Sequence, residues 1–373
     1  MIKYLGSKRR LIEHIVDRVE SCAGVRSVLD LFSGTSRVGH ALKGRGLRVH
    51  ANDHNAYAHV LGRCYVAVDA RRWREPAARL ITELDRVRGR AGWFTETYCV
   101  RSRYLQPANG ARVDAIRARI ARLALEPELE AVALTRLMEA ADRVDSTVGL
   151  QMAYLKRWAA RSHQPLRLRL PELLEGEGSA SCLDAAAAAG AFEADLAYLD
   201  PPYNQHSYLG NYHVWESLVR WDRPEVYGVA MKREDVRTRP SAFNRRGQHA
   251  GALREVLDRL RARYLVVSFS DEGFLALDEV RAMLAERGRV REAAVIQPRH
   301  IGHKIGIHDL RGRKVGTPGP AHNREHLFVV ELGAAAARRV VRRAARRAPV
   351  ASRTAGPGAG KRVRSPRALK SAT

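Results

Sequence analysis

The sequence predicts an α/β fold, a doubly wound sheet interrupted by a helical insertion. Three observations predict it. Residues 25–53 read as strand, glycine turn, helix, strand and acidic residue, one unit of such a sheet. Apolar strand-like runs return after a stretch of about a hundred residues, rich in Arg, Ala and Leu, whose pattern is helical. The run Asp195–Asp200 (DLAYLD) is apolar on both faces, as a buried parallel strand must be.

In chain order, residues 9–19 (RRLIEHIVDRV) carry apolar side chains at helical spacing. Val25 to Phe32 is an apolar run that stops at Ser33-Gly34 and reads as a strand feeding a turn. A helix is expected over Val38 to Leu42, then a second strand over Leu47 to Asn52. Residues 65–174 form the expected insertion, broken at Gly89–Gly92 and Pro107–Gly110. Strands follow at 195–200, 264–270 and 325–331, with a helix at 274–287. The expected division is a catalytic sheet domain of residues 1–64 and 175–333, the insertion, and a tail of residues 334–373.

Composition narrows the partners. Hydrophobic residues make up 45%, enough for a sizeable core, and the net charge of +25 favours a polyanion, nucleic acid first. The tail holds 12 Lys and Arg and no Asp or Glu, so +13 remains on the rest. Its Ala, Arg, Pro and Gly residues offer little to bury, and a solvated, disordered basic tail is expected. The arginine pairs at 338–339, 342–343 and 346–347 also fit one face of a helix formed on a phosphate backbone. No apolar stretch reaches the roughly 18 residues of a membrane span, and the first residues lack the apolar core of a secretion signal. Cys22, Cys64, Cys99 and Cys182 form no CxxC pair. They give no zinc signature and no disulfide framework, so a reduced, cytoplasmic protein is expected.

Three motifs carry chemistry, in a fixed order. Asp30-Leu31-Phe32-Ser33-Gly34 lies at a strand's carboxyl end, where open sheets bind ligands. Asn52-Asp53 follows about 20 residues later, and its carboxylate suits the two ribose hydroxyls of an adenosine. A dinucleotide enzyme would show G-x-G-x-x-G, but Ser36 stands at the second glycine of Gly34-Thr35-Ser36-Arg37-Val38-Gly39. S-adenosylmethionine (SAM) has no pyrophosphate to seat, so the substitution counts against a nicotinamide cofactor. The third motif is Asp200-Pro201-Pro202-Tyr203. Two prolines fix the backbone. A carboxylate and the Pro201 carbonyl held there can each accept a proton of an exocyclic amine. The nitrogen lone pair is then freed toward an incoming methyl, while Tyr203 offers a face for the base to stack on. A base inside a duplex must be flipped out to reach such a loop. The chemistry is positioning and electrostatics and needs no metal.

With these residues the sequence resembles the adenine-specific DNA methyltransferases of the Dam-like class, ordered as SAM loop, recognition region and catalytic loop. The resemblance implies a Rossmann-like SAM-dependent methyltransferase sheet with a helical target-recognition insertion. It implies SAM as cofactor and double-stranded DNA as partner. Lys3-Tyr4-Leu5-Gly6-Ser7-Lys8 resembles the segment that helps hold the methionine end of SAM, which makes Tyr4, Gly6 and Lys8 candidates. Asp30, Phe32 and Gly34 match the SAM loop, Asp53 the ribose acid, and Asp184 the acid near the SAM adenine. Asp200, Pro201, Pro202 and Tyr203 match the catalytic motif. Asn204-Gln205, Asn211-Tyr212-His213, Ser268 to Gly273 and Ile305 to His308 resemble a restriction-modification branch. In that branch glycine is common where Ser36 stands, a departure expected to loosen or tilt the loop. Site-specific N6-adenine methylation is the implied function, a cognate restriction endonuclease is an open partner, and a monomer is expected.

Two clusters remain. His300, His303, His308 and His322 match no metal signature. Interleaved with Arg299, Lys304, Arg311, Arg313 and Lys314, they read as a basic loop touching phosphate. Arg101, Arg103 and Tyr104 in the insertion are candidate contacts to phosphate or bases. Three alternatives stay open: an RNA adenine methyltransferase, transfer to the 4-amino group of cytosine, and a silent DNA-binding protein on the same fold. Asp at the head of the catalytic motif, where the cytosine chemistry more often has Ser, favours adenine.

Overall fold

The computed structural model describes residues 1–271, 273–298, 307–308, 314–316 and 322–333. Seven strands build one sheet: β1 (Ser27–Asp30), β2 (Arg48–Asn52), β3 (Gly178–Ser181), β4 (Glu193–Leu199), β5 (Arg261–Ser270), β6 (Gly288–Pro298) and β7 (His322–Leu332). Their spatial order is β3-β2-β1-β4-β5-β7-β6. The first five run parallel, and β7 lies antiparallel between β5 and β6. The expected α/β class is therefore present.

Alternation sends successive side chains to opposite faces. In β1 and β4, Val28, Leu196 and Tyr198 pack on one face with helices α1 (Ile12–Glu20) and α2 (Arg37–Gly44). Leu29, Ala197 and Leu199 pack on the other, against α7 (Ala185–Ala191), α9 (Arg246–Arg259) and α10 (Leu277–Ala285). Each fully buried Leu or Val contributes about 1.5–3 kcal/mol. That burial, rather than helix propensity, holds the layers together.

A third core lies to the side of the sheet. It joins α3 (Ala56–Gly62), α4 (Ala70–Asp85), α5 (Pro107–Leu123) and α6 (Pro127–Arg143) to α8 (His213–Arg220). Residues from the expected insertion thus share apolar packing with the segment that follows Asp200. Glu216 makes the joint polar as well: its buried carboxylate accepts the Tyr57 N–H at 3.0 Å, capping the first turn of α3. Among the described residues no helix is long and apolar enough to cross a membrane. All four cysteines are free.

Candidate active site

From β1 the chain winds outward through β2 to β3, and from β4 it winds the other way to β5. The crevice above the carboxyl ends of β1 and β4 is thus the switch point of the sheet, the usual ligand position in such folds. A cleft lies there, lined by Tyr4, Gly6, Lys8, Asp30, Phe32, Gly34, Asp53 and Asp200 of the expected residues, and by Ser7, Arg37, Tyr198 and Tyr208 besides.

The turn after β1 is built by close approach. Gly34 has φ +49°, and a Cβ there would stand 3.2 Å from the Tyr4 ring. Its N–H donates to Asp53 Oδ2 at 3.1 Å, while the Asn55 backbone and side-chain N–H groups donate to Oδ1. Two backbone segments thereby fix the carboxylate at the end of β2. Ser36 takes the left-handed conformation, φ +58°, that glycine would take, and its buried hydroxyl has no hydrogen-bond partner. Asp30 ends β1 fully buried. Its Oδ2 accepts the Gly39 N–H at 3.1 Å, and among the described residues nothing donates to its Oδ1. Burial, with the Asp200 charge adding to it, pushes the Asp30 carboxyl up to about 7.

Asp200 follows β4 directly. Lys8, itself buried, places its ammonium 2.9 Å from Asp200 Oδ1. The same ammonium donates to Glu325 Oε1 at 2.6 Å, and Ser268 Oγ donates to that oxygen at 2.6 Å. Burial opposes the Lys8 charge, but the two carboxylates outweigh it and hold the ammonium well above its ordinary range. Burial raises the Asp200 carboxyl, against the pull of Lys8. Among the described residues neither Asp200 Oδ2 nor the Pro201 carbonyl takes part in a hydrogen bond.

The rest of the loop is clamped from outside. The Phe274 N–H donates to the Tyr203 carbonyl at 2.8 Å, and Asn244 Nδ2 donates to the carbonyls of Asn204 and His206. The Tyr203 ring lies 6.2 Å from that of Phe269. Pro201, Pro202 and Tyr203 follow Asp200 in the loop without joining the lining of the cleft. Tyr4 stacks with both Tyr208 and Tyr212, whose ring centroids lie 5.0 and 4.7 Å away and 6.5 Å from each other.

Asp184 stands apart from the other expected residues. Its carboxylate accepts the Ala186 N–H at 2.9 Å and caps α7, and it does not line the cleft. Its loop is nonetheless tied to β2, because Asn52 bonds both the N–H and the carbonyl of Leu183. Tyr104 is corrected outright. It is 2% exposed, with its hydroxyl within hydrogen-bond reach of the Gln151 carbonyl at 2.7 Å and the Ala230 carbonyl at 2.9 Å, so it is core rather than a contact to DNA. Arg103 lies over the Trp158 ring, and Arg101 is exposed. Glu272, Arg299, His300, His303, Lys304, Ile305, Gly306, Arg311, Arg313 and the tail 334–373 lie outside the described residues; His308, Lys314 and His322 are described only as strand backbone. Among the described residues no group of His, Cys, Asp or Glu is arranged to hold a metal ion.

Glu325, Ser268, Tyr208 and Arg37 are the members that sequence reasoning left without a role. Ser268 opens the segment Ser268 to Gly273, and Glu325 opens the strand expected at 325–331. An acid opening a run as apolar as EHLFVVE is the available signal.

The family model for the D12 class N6 adenine-specific DNA methyltransferases matches residues 4–283. Among curated proteins, the type II methyltransferase M.FokI of Planomicrobium okeanokoites is 28% identical over 309 residues, covering 77% of this chain and 47% of its own. The type II methyltransferase M.NlaIII of Neisseria lactamica is 27% identical, covering 77% of this chain and 89% of its own. Modification methylase StsI of Streptococcus sanguinis is 26% identical, covering 76% and 46%. The chain therefore spans about half the length of two of these relatives and most of the third.

Proposed function

This chain belongs to the D12 class of N6 adenine-specific DNA methyltransferases, and on that premise we propose that it moves a methyl group from SAM to N6 of an adenine flipped out of duplex DNA. The observation that carries the reading is the state of Asp200. One of its oxygens is held by a buried ammonium, and among the described residues the other, like the Pro201 carbonyl that follows it, takes part in no hydrogen bond.

The residues of the cleft fit SAM. Asp53 suits a ribose diol. The bare Oδ1 of Asp30 is a buried negative site that suits a cationic ligand. The Cβ-free Gly34 lets the Tyr4 ring close on the turn that lines the cleft. When bound, SAM supplies a methyl on a sulfonium, and sulfur keeps the bonding pair as the methyl leaves. The chain does the rest. Asp200 Oδ2 and the Pro201 carbonyl accept the two amine protons and turn the nitrogen lone pair out of the ring. As the N6–methyl bond forms, one proton passes to Asp200 and on to solvent. Transfer therefore needs Asp200 ionised, and its rate should fall on the acid side.

The finer expectations belong to the same proposal. Residues 1–64 and 175–333 hold cofactor and catalysis, 65–174 read the target, and 334–373 add basic charge. Asp184 near the SAM adenine, a cytoplasmic monomer and a cognate endonuclease also belong to it, the last because the named relatives are type II methyltransferases and a modification methylase. The test is transfer of labelled methyl from SAM to unmethylated duplex DNA and to matched RNA, followed by nucleoside analysis. N6-methyladenine in DNA is expected. Label confined to RNA would overturn the DNA substrate, and label in N4-methylcytosine would overturn the base.

A further inference from the structure

We propose that Glu325 and Ser268 are positioning residues for methyl transfer: they hold the Lys8 ammonium on Oδ1 of Asp200, so that Oδ2 alone is presented to the adenine amine. The inference rests on the reading above and goes beyond it. By resemblance Lys8 belongs to the methionine end of the cofactor; its closest partners in this structure are the catalytic carboxylate and a second acid.

A single Lys–Asp pair is a loose joint, because lysine swings a point charge on a flexible four-carbon stem. Here the stem is buried, and the ammonium is anchored from the far side by Glu325 at 2.6 Å. Glu325 cannot drift either. It sits opposite Ser270 in the antiparallel β5–β7 ladder, and Ser268 Oγ donates to the oxygen that Lys8 uses. The orientation of Asp200 is thus carried through two hydrogen bonds into the β5–β7 pair of the sheet, as a preorganised site requires.

The charge balance points the same way. Two carboxylates share one ammonium, which leaves a net negative charge beside the amine as it becomes positive on accepting the methyl. The charged and titratable groups facing Asp200 are Lys8, Glu325, Asp30, Tyr198, Tyr203 and Tyr208. Of these, Glu325 raises the proton affinity of Asp200 and Lys8 lowers it. Removing the Glu325 charge should therefore move the acid limb of the rate toward lower pH while slowing the reaction itself.

The experiment compares wild type, Glu325→Gln and Ser268→Ala by single-turnover methylation of unmethylated duplex DNA at saturating SAM across pH, with SAM affinity measured alongside. Glu325→Gln should slow transfer roughly ten- to a hundredfold, as for a misplaced reacting group. Its acid limb should shift down, and its SAM affinity should stay within about threefold, which also shows that the variant is folded. Ser268→Ala, which removes no charge, should slow transfer less and leave the limb in place. A wild-type rate with an unmoved limb in Glu325→Gln would overturn the proposal. So would a loss confined to SAM affinity with normal transfer at saturation, since that places the network on the cofactor. Wild-type product in the same assay tests the parent reading separately.

Discussion

Asp30 is a buried carboxyl with one oxygen on a backbone N–H and the other bare. Its value is raised to about 7, so its contribution to stability is complete below the unfolded value of about 3.9 and is lost as pH rises through about 7. Binding of a cation works in the opposite direction, because it favours the ionised form. SAM affinity should therefore weaken as pH falls below about 7, by at most about tenfold per unit for one proton. Calorimetric titration at pH 8 and pH 6 checks this, and equal affinities would remove Asp30 from the charge balance. Ser36 offers a second test at this scale. A non-glycine residue at φ +58° with an unpartnered buried hydroxyl carries strain of about 1–2 kcal/mol. Ser36→Gly should raise stability in urea by about 1 kcal/mol, after the added entropy of the unfolded glycine is discounted. A loss of stability would mean that the serine side chain supports the turn.

At the scale of elements, α2 shows how a helix can be subordinated to the strand it covers. Gly39 lies inside it, where alanine would normally gain close to 1 kcal/mol. A Cβ there would meet Val66 Cγ2 at 3.0 Å and Asp30 Oδ2 at 3.1 Å. Gly39→Ala should thus displace the Asp30 carboxylate and weaken SAM binding by about tenfold, a loss of about 1.4 kcal/mol. Unchanged SAM affinity would show that the turn can give way. The strands leading to Asp30 and Asp200 were legible because each is an apolar run ending at a polar residue, and β2 (RVHAN) because polar and apolar residues alternate up to Asn52-Asp53. Two strands were not legible. β3 reads GSAS, with no branched or aromatic residue, and β6 (GRVREAAVIQP) mixes charged, small and branched residues with no sustained period of two. Both are edge strands, which need no apolar face on each side. The cleft was legible wherever its residues end strands. Glu325 and Tyr208 were hidden because only tertiary packing brings them to Lys8 and Tyr4. Asp184 followed by alanines also carried a local meaning, a helix N-cap.

At the scale of the whole molecule, about half of the net charge lies in a segment that is distant in sequence from the cleft. Residues 334–373 hold 12 of the positive charges and lie outside the described residues, while the cleft is formed by residues 4–208. Deleting the segment should weaken DNA binding and flatten its salt dependence, by about 0.9 in the logarithmic slope for each phosphate that is no longer neutralised. The rate at saturating DNA should stay the same. An unchanged slope would leave the segment without a role on DNA. The central claim is that Asp200 performs the transfer while Asp53 and the Gly34 turn hold the cofactor independently of it. The most direct measurement is methyl transfer to duplex adenine by Asp200→Ala beside its affinity for SAM. The account predicts no detectable N6-methyladenine with SAM affinity close to wild type. Transfer at the wild-type rate would contradict it.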